Sequence, residues 1–258
     1  MSVTKISVTI ITYNEEKHLS RCLDSVSDIA DEIIVVDSYS TDQTTSIAQD
    51  HGARLISNVF KGHIQQKNFA LDQARYDIIL SLDADEALSV DLIRSILNVK
   101  SNWTSDAYRF NRLNNFCGQW IKHGLWYPDR KVRLFDKRKG RWGGTNPHDK
   151  VIMASDAKVK DIKGDLLHYT VSSISEYVGQ VNKFSSIQAE ALLEKTGRPG
   201  FFHLYLKPVY KFLVAYIFRF GFLDGWRGFC IASGQAWGIY LRYVKMLEIK
   251  RKSSSNCN

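Results

Sequence analysis

Ile78-Ile79-Leu80-Ser81-Leu82-Asp83-Ala84-Asp85 is an apolar run that ends abruptly in two carboxylates. A short run of branched apolar residues reads as a strand buried on both faces. Ionised carboxylates at its end are costly to bury alone, and a divalent cation is a partner whose preference for oxygen fits them. Glu86 adds a third negative charge. A polar turn built by Asp would show the same letters, so the triplet alone decides little. Two further segments end the same way: Ile6-Ser7-Val8-Thr9-Ile10-Ile11 runs into Thr12-Tyr13-Asn14-Glu15, and Glu32-Ile33-Ile34-Val35-Val36 runs into Asp37 and Ser38-Tyr39-Ser40-Thr41-Asp42.

Each run is followed by a helical pattern. Leu19, Leu23 and Val26 recur at i, i+4 and i+7. Asp42 is placed to cap a helix to about His51, with Gly52 as its stop. Residues 53–56 read as a strand, 65–74 as a helix and 77–82 as the strand before the acids. Strands alternating with helices predict an α/β fold: a mostly parallel central sheet with flanking helices. In such sheets ligands bind beyond the carboxyl ends of the strands. Thr12, Asn14, Asp37, Asp83 and Asp85 are therefore expected to converge on one crevice.

The distribution of charge matters more than its total of +8. Residues 201–258 hold nine Lys/Arg against two Asp/Glu, and 14 of the 31 aromatic residues. A basic, aromatic tail points to a membrane surface or an acidic partner. No nucleic-acid motif accompanies it, so nucleic acid is not an expected partner. The tail's longest charge-free stretch, 228–241, is shorter than the ~20 residues that span a bilayer. Four scattered cysteines indicate neither a zinc site nor a disulfide framework and suit a reducing cytosol. The first residues lack the marks of a signal peptide. Neither G-x-G-x-x-G nor G-x-x-x-x-G-K-[ST] occurs, which disfavours a nicotinamide dehydrogenase and a P-loop NTPase. Phosphates here would need a cation and basic side chains.

Residues 106–170 change character. Apolar residues alternate with charges, predicting antiparallel or mixed strands, and the region is rich in Trp120, Trp126, Tyr127, Asp129, Arg130, Arg133, Trp142 and His148. A helix is predicted from Ser173 to about Leu193. Gly197-Arg198-Pro199-Gly200 is the clearest linker. The division expected is 1–105, 106–196 and a helical region over 201–250. In the last, Tyr205, Val209, Phe212, Leu213, Tyr216 and Phe220 form an apolar face with Lys207, Lys211 and Arg219 at its margins. A membrane-lying helix, a lid and a dimer contact all fit that pattern.

With Thr12-Tyr13-Asn14-Glu15, Asp37, Lys67-Asn68 and Asp83-Ala84-Asp85 in place, the first half resembles the nucleotide-sugar half of a family 2 glycosyltransferase of GT-A fold. Arg133-Leu134-Phe135, the His148-Asp149 pair, Gly221-Phe222-Leu223-Asp224-Gly225 and the basic tail are similar to the glucosyltransferases of the lipopolysaccharide core. The resemblance implies an inverting transferase of a hexose such as glucose. Its donor would be a nucleoside-diphosphate sugar, a UDP-sugar favoured, and its acceptor a saccharide or glycolipid. It implies that Thr12, Tyr13, Asn14, Glu15, Asp37, Lys67 and Asp83 bind the nucleotide. It gives Asp83, Asp85 and His168 to Mg²⁺ or Mn²⁺, and Asp149 the part of general base, where the subgroup carries Glu. Asp129 and Glu86 are the competing bases. His148, Trp142, Trp126 and Arg133 fall on the acceptor side. The expected location is cytoplasmic, peripheral on the inner face of the cytoplasmic membrane, with a homo-oligomer left open. A nucleotidyltransferase and a catalytically inactive nucleotide-sugar-binding protein are the alternatives. The first lacks its usual Gly-rich basic loop here, and intact acids argue against the second.

Overall fold

The computed structural model describes residues 3–145, 148–193 and 199–255, so the Gly197 and Arg198 of the expected linker lie outside the described residues. The chain divides into two compact units. The first comprises residues 1–113 and 129–169, the second residues 114–128 and 170–258. The three-part division expected from the sequence does not coincide with them. The reason is strand pairing, which draws most of the middle region into the first unit's sheet.

Four strands of the first unit run parallel: β1 (Ile6–Thr12), β2 (Glu32–Asp37), β3 (Arg54–Ser57) and β4 (Ile78–Asp83). Helices α1 (Leu19–Val26), α2 (Thr44–Asp50) and α3 (His63–Gln73) connect them. Beyond β4 the sheet turns mixed. The later strands are β5 (Glu86–Leu88), β6 (Ala107–Phe116), β7 (Gln119–Trp120), β8 (Asp129–Asp136) and β11 (Val159–Val171), and the order is β3-β2-β1-β4-β8-β6-β11-β5 with β7 on β6. β8 runs antiparallel to β4, with Leu80 opposite Leu134. The first four strands are the parallel part of the sheet, and the antiparallel strands expected over 106–170 complete it. β9 (Gly140–Thr145) and β10 (His148–Met153) form a separate hairpin.

Alternation along the buried strands sets two cores. Val8, Ile10, Leu80 and Leu82 face one, which α1 closes with Leu19, Cys22, Leu23 and Val26. Ile34, Val36, Ile79 and Phe135 face the other, against Ala70 and Leu71 of α3 and Trp142 of β9. Every second residue of β4 thus faces each core, as the pleat requires. Asp42, one residue before the N-cap of α2, accepts the Thr44 N–H at 3.0 Å, and Ser89 caps α4 (Val90–Ser101) by accepting the Leu92 N–H.

The second unit holds α5 (Ile174–Leu193), α6 (Lys207–Leu213) between two π-helical turns (Phe202–Leu206 and Val214–Phe218), and α7 (Gly225–Ser255). Phe116, Ile121, Val171, Tyr177 and Ile231 form its core. Asp224, buried before α7, accepts the Lys122 and His123 N–H groups and pairs with His123 Nδ1 at 3.1 Å. A Cβ at Gly228 would meet the Gly221 carbonyl oxygen at 1.8 Å, so this close approach admits glycine alone. The segment 221–225 is therefore built as a structural corner. No helix among the described residues is long and apolar enough to cross a membrane.

Candidate active site

The carboxyl end of β4 is a charge cluster. Lys67, on α3, is 3% exposed, and its Nζ stands 2.8 Å from Asp83 Oδ1 and 2.8 Å from Asp149 Oδ2. A buried ammonium is tolerated when it is paired in this way. Arg133, on β8, donates from Nη2 to Asp83 Oδ2 at 3.0 Å and to Glu86 Oε1 at 2.8 Å. Burial pushes the Asp83 carboxyl up, but the Lys67 and Arg133 cations outweigh it and hold the group well below the usual carboxylate range. Nε and Nη1 of Arg133 are buried with no hydrogen-bond partner among the described residues.

The competing bases lie in ion pairs of their own. Glu86 has a fully buried side chain, takes Arg133 and, at 3.7 Å, Arg112, and accepts the Asp83 N–H at 3.0 Å. It neutralises the arginines from within. Asp129 pairs with Arg112 at 2.9 Å and with Lys131 at 2.9 Å. Asp149, on β10, is 12% exposed and is held by Lys67 beside Asp83.

Trp142 forms an internal wall. Lys67 Nζ lies 4.2 Å and the Arg133 guanidinium 4.9 Å from its ring centroid, and its indole N–H donates to Ser81 Oγ at 3.3 Å. Asn68 pins its backbone with two hydrogen bonds. The ring is buried against the two cations rather than presented to solvent. Ser81 faces the same side of β4 as Ile79, which is why the indole meets it. Asn68 and Ser81 therefore support the cluster. Arg112 does so too, and no sequence signal sets it apart from its neighbours.

Asp85 leaves the strand next to Asp83, and its Oδ2 lies 3.1 Å from His168 Nε2. The register of β11 on β5 places His168 opposite Glu86, and the Tyr169 N–H donates to the Asp85 carbonyl. Asp85 and His168, each expected at the metal, thus stand in contact with one another.

The loops after β1 and β2 interlock. Asn14, at φ 53°, accepts the Thr41 N–H on Oδ1 and donates its own N–H to Ser40 Oγ. The Glu15 N–H donates to Thr44 Oγ1. Asp37 accepts from Ser40 Oγ at 2.5 Å and from the Ser40 N–H at 2.9 Å, so both its oxygens first build the turn. Thr12 Oγ1 is buried with no partner among the described residues, while Tyr13 and Tyr39 are exposed. Trp126 belongs to the second unit, edge-on to Phe116 and Tyr177. His148 begins β10 opposite Thr145, and its side chain lies outside the described residues.

Residues 7–159 match the family described as Glycosyl transferase family 2. The chain belongs to glycosyl transferase family 2. It is 34% identical to an uncharacterized glycosyltransferase of Rickettsia typhi over 96% of this chain and 89% of the relative. It is 29% identical to the lipopolysaccharide core biosynthesis glycosyltransferase LpsC of Rhizobium meliloti, over 93% of each. Among solved structures, it aligns with glucosyl-3-phosphoglycerate synthase from Mycobacterium tuberculosis in complex with Mn²⁺ and UDP-glucose. That match has 25% identity and a TM-score of 0.37, over 43% of this chain and 44% of the synthase, so the chain spans less than half of that enzyme's length. It also aligns with S. aureus TarS, with 15% identity and a TM-score of 0.48, over 89% of this chain and 55% of TarS. The mixed central sheet and flanking helices of this family 2 glycosyltransferase are the α/β architecture that its resemblance to the GT-A fold implies.

The donors at the cluster suit a hard divalent cation. Such an ion on a diphosphate takes one or two protein carboxylates and fills its remaining positions with phosphate oxygens and water. Asp85 and His168 stand together as an oxygen and a nitrogen donor, with Asp83 two residues away in the chain. Among the described residues no group of three or more His, Cys, Asp and Glu side chains is assembled for a metal. An ion here would draw its further ligands from substrate and water.

Proposed function

We propose that the chain is an inverting, metal-dependent transferase that moves a hexose from a UDP-sugar to a saccharide on a lipid carrier. The observation that carries this reading is the junction of Asp83, Asp149, Lys67 and Arg133 at the carboxyl end of β4. Two buried cations there suit a diphosphate, and a carboxylate stands beside them. Lys67 and Arg133 bind the diphosphate, and the unpartnered Arg133 nitrogens provide further donors for its oxygens. Thr12, Tyr13, Asn14, Glu15 and Asp37 hold base and ribose on the interlocked loops. Asp85, His168 and Asp83 would hold Mg²⁺ or Mn²⁺, which would supply charge stabilisation to the departing diphosphate.

Asp149 accepts the proton of the acceptor hydroxyl as that oxygen attacks the anomeric carbon. The new C–O bond forms on the face opposite the old one, and the nucleoside diphosphate leaves with the bonding electron pair. His148 and Trp126 remain acceptor-side candidates, and Trp142 keeps Lys67 and Arg133 in place. The name of the LpsC relative supports an acceptor in a lipopolysaccharide core or a similar surface glycan. The basic, aromatic second unit supports a peripheral place on the inner face of the cytoplasmic membrane.

The test is product analysis with UDP-, GDP- and CDP-sugars, Mn²⁺ and a truncated core glycolipid. UDP release in step with acceptor glycosylation is expected. Pyrophosphate release in a parallel reaction supplied with UTP and a hexose 1-phosphate would replace this reading with a nucleotidyltransferase. Donor binding with no release under any pairing would replace it with a binding protein.

A further inference from the structure

The second unit leaves a helical segment almost without protein cover. No residue of Phe202–Leu206 or of α6 is buried, and Ala215 alone is buried in Val214–Phe218. Between α6 and α7 runs an open groove of about 530 Å³, lined by Pro208, Val209, Phe212, Ala236, Trp237 and Tyr240, with Ser233 the one hydroxyl-bearing aliphatic side chain. That volume is in the range of pockets that take small ligands. Val209 and Trp237 are 57% and 53% exposed on its rim. An apolar trough left open to water is a binding surface unless something covers it.

Charge says what covers it. Between Pro199 and Leu247 there are six Lys/Arg (Lys207, Lys211, Arg219, Arg227, Arg242 and Lys245) and one acid, Asp224, which is buried against His123. Lys207 and Lys211 stand one turn apart on α6, the helix that forms one wall of the groove. Lys207 donates to the Tyr243 hydroxyl at 2.9 Å. Burial, and then repulsion from Arg242, lower the Lys211 ammonium, and an anion placed there would offset the repulsion. A second copy of this chain would bring the same basic face against itself, and like charges across a two-fold contact oppose association. The occupant that satisfies both the trough and its cations has a hydrocarbon chain and an anionic head.

We infer that the α6–α7 groove of the second unit is a lipid site: it takes one acyl chain of an anionic phospholipid, with the lipid phosphate on Lys207 and Lys211. The inference deepens the peripheral membrane placement proposed above and is independent of the donor site in the first unit. It turns a general surface attraction into a defined, saturable site.

The experiment uses the full chain and short-chain phosphatidylglycerol kept below its micelle concentration, titrated by calorimetry. Saturable binding of one lipid per chain is expected. Glycerophosphoglycerol, the same head without chains, should bind at least tenfold more weakly, as should short-chain phosphatidylcholine. Ala236→Trp fills the groove and should abolish lipid binding while UDP binding with Mn²⁺ stays as in the wild type. Should that variant fail to fold, Trp237→Asp at the exposed rim makes the same test. Equal binding of the bare headgroup, or unchanged lipid binding in the folded variants, would overturn the site. So would a dimer in sedimentation that Ala236→Trp disperses, since it would give the groove to a second copy. Loss of lipid binding with UDP binding intact separates this inference from the transferase reading.

Discussion

Lys67 Nζ and Asp149 Oδ2 meet at 2.8 Å although 82 residues of sequence separate them. The contact places the carboxylate, and Lys67 occupies one of its oxygens. A diphosphate that draws Lys67 toward itself would release Asp149 only when donor is bound. Asp149→Asn keeps the shape and removes the basicity, so donor affinity should hold while turnover falls ~10²–10⁴-fold. Titration calorimetry and single-turnover kinetics separate the two. Lost donor affinity would place Asp149 in the nucleotide site instead.

Lys67→Met leaves Asp83 and Asp149 facing one another without their shared cation. Breaking a buried pair from one side costs about 3–5 kcal/mol. Lys67→Met with Asp149→Asn should cost less than the sum of the two, with a coupling of about 0.5–3 kcal/mol. A urea double-mutant cycle measures it, and additive effects would mean that the two side chains do not act together.

Asp85 and His168 make the metal prediction. Asp85→Asn should abolish the gain in UDP affinity that Mn²⁺ brings, and His168→Ala should weaken Mn²⁺ by ~10–100-fold. Wild-type affinity for UDP should fall when EDTA is added. If UDP binds Asp85→Asn as it binds the wild type at every Mn²⁺ concentration, the ion is held elsewhere.

Trp142 separates packing from substrate contact. Trp142→Ala removes the wall against Lys67 and Arg133 and should destabilise the protein by about 3–5 kcal/mol. Trp142→Phe keeps most of the packing, loses the Ser81 hydrogen bond and should retain the acceptor KM. A large rise in acceptor KM in a stable Trp142→Phe variant would return the residue to the acceptor site.

What the sequence could and could not reveal follows from the range of the interactions. The ends of β1, β2 and β4 are legible because each apolar run stops at a polar residue, a signal contained within a few positions. The Asp85–His168 pair was also within reach, since both residues lie at the ends of apolar runs. The surroundings of Trp142 are not legible, because the sequence shows an aromatic residue and not the Ser81 hydroxyl and two cations that bury it. The joining of Lys67 to Asp149, and of Arg112 to Glu86, depends on β8 inserting antiparallel beside β4 and on the β9–β10 hairpin. No local pattern encodes those long-range pairings. The division into units rests on the same long-range pairing, because residues 114–128 leave the first unit's strands for the second unit's core.

Asp31 gives a pH-dependent prediction away from the active site. Its carboxylate accepts the Ile6 N–H at the start of β1 at 2.9 Å and pairs with Lys5 at 2.8 Å and Lys100 at 2.7 Å. Burial pushes this carboxyl up, but Lys100, Lys5 and the Ile6 N–H together hold it below the ordinary value. A depressed folded-state value stabilises the fold above the unfolded value of about 3.9. That contribution disappears as pH falls through the folded value. Asp31→Asn keeps the size but removes the charge, and should lose about 1.5–3 kcal/mol at pH 7. The difference between wild type and variant, measured by urea unfolding from pH 7 downward, should stay level to about pH 5 and then shrink. A difference that stays constant down to pH 3 would show that the Asp31 charge contributes nothing to holding β1.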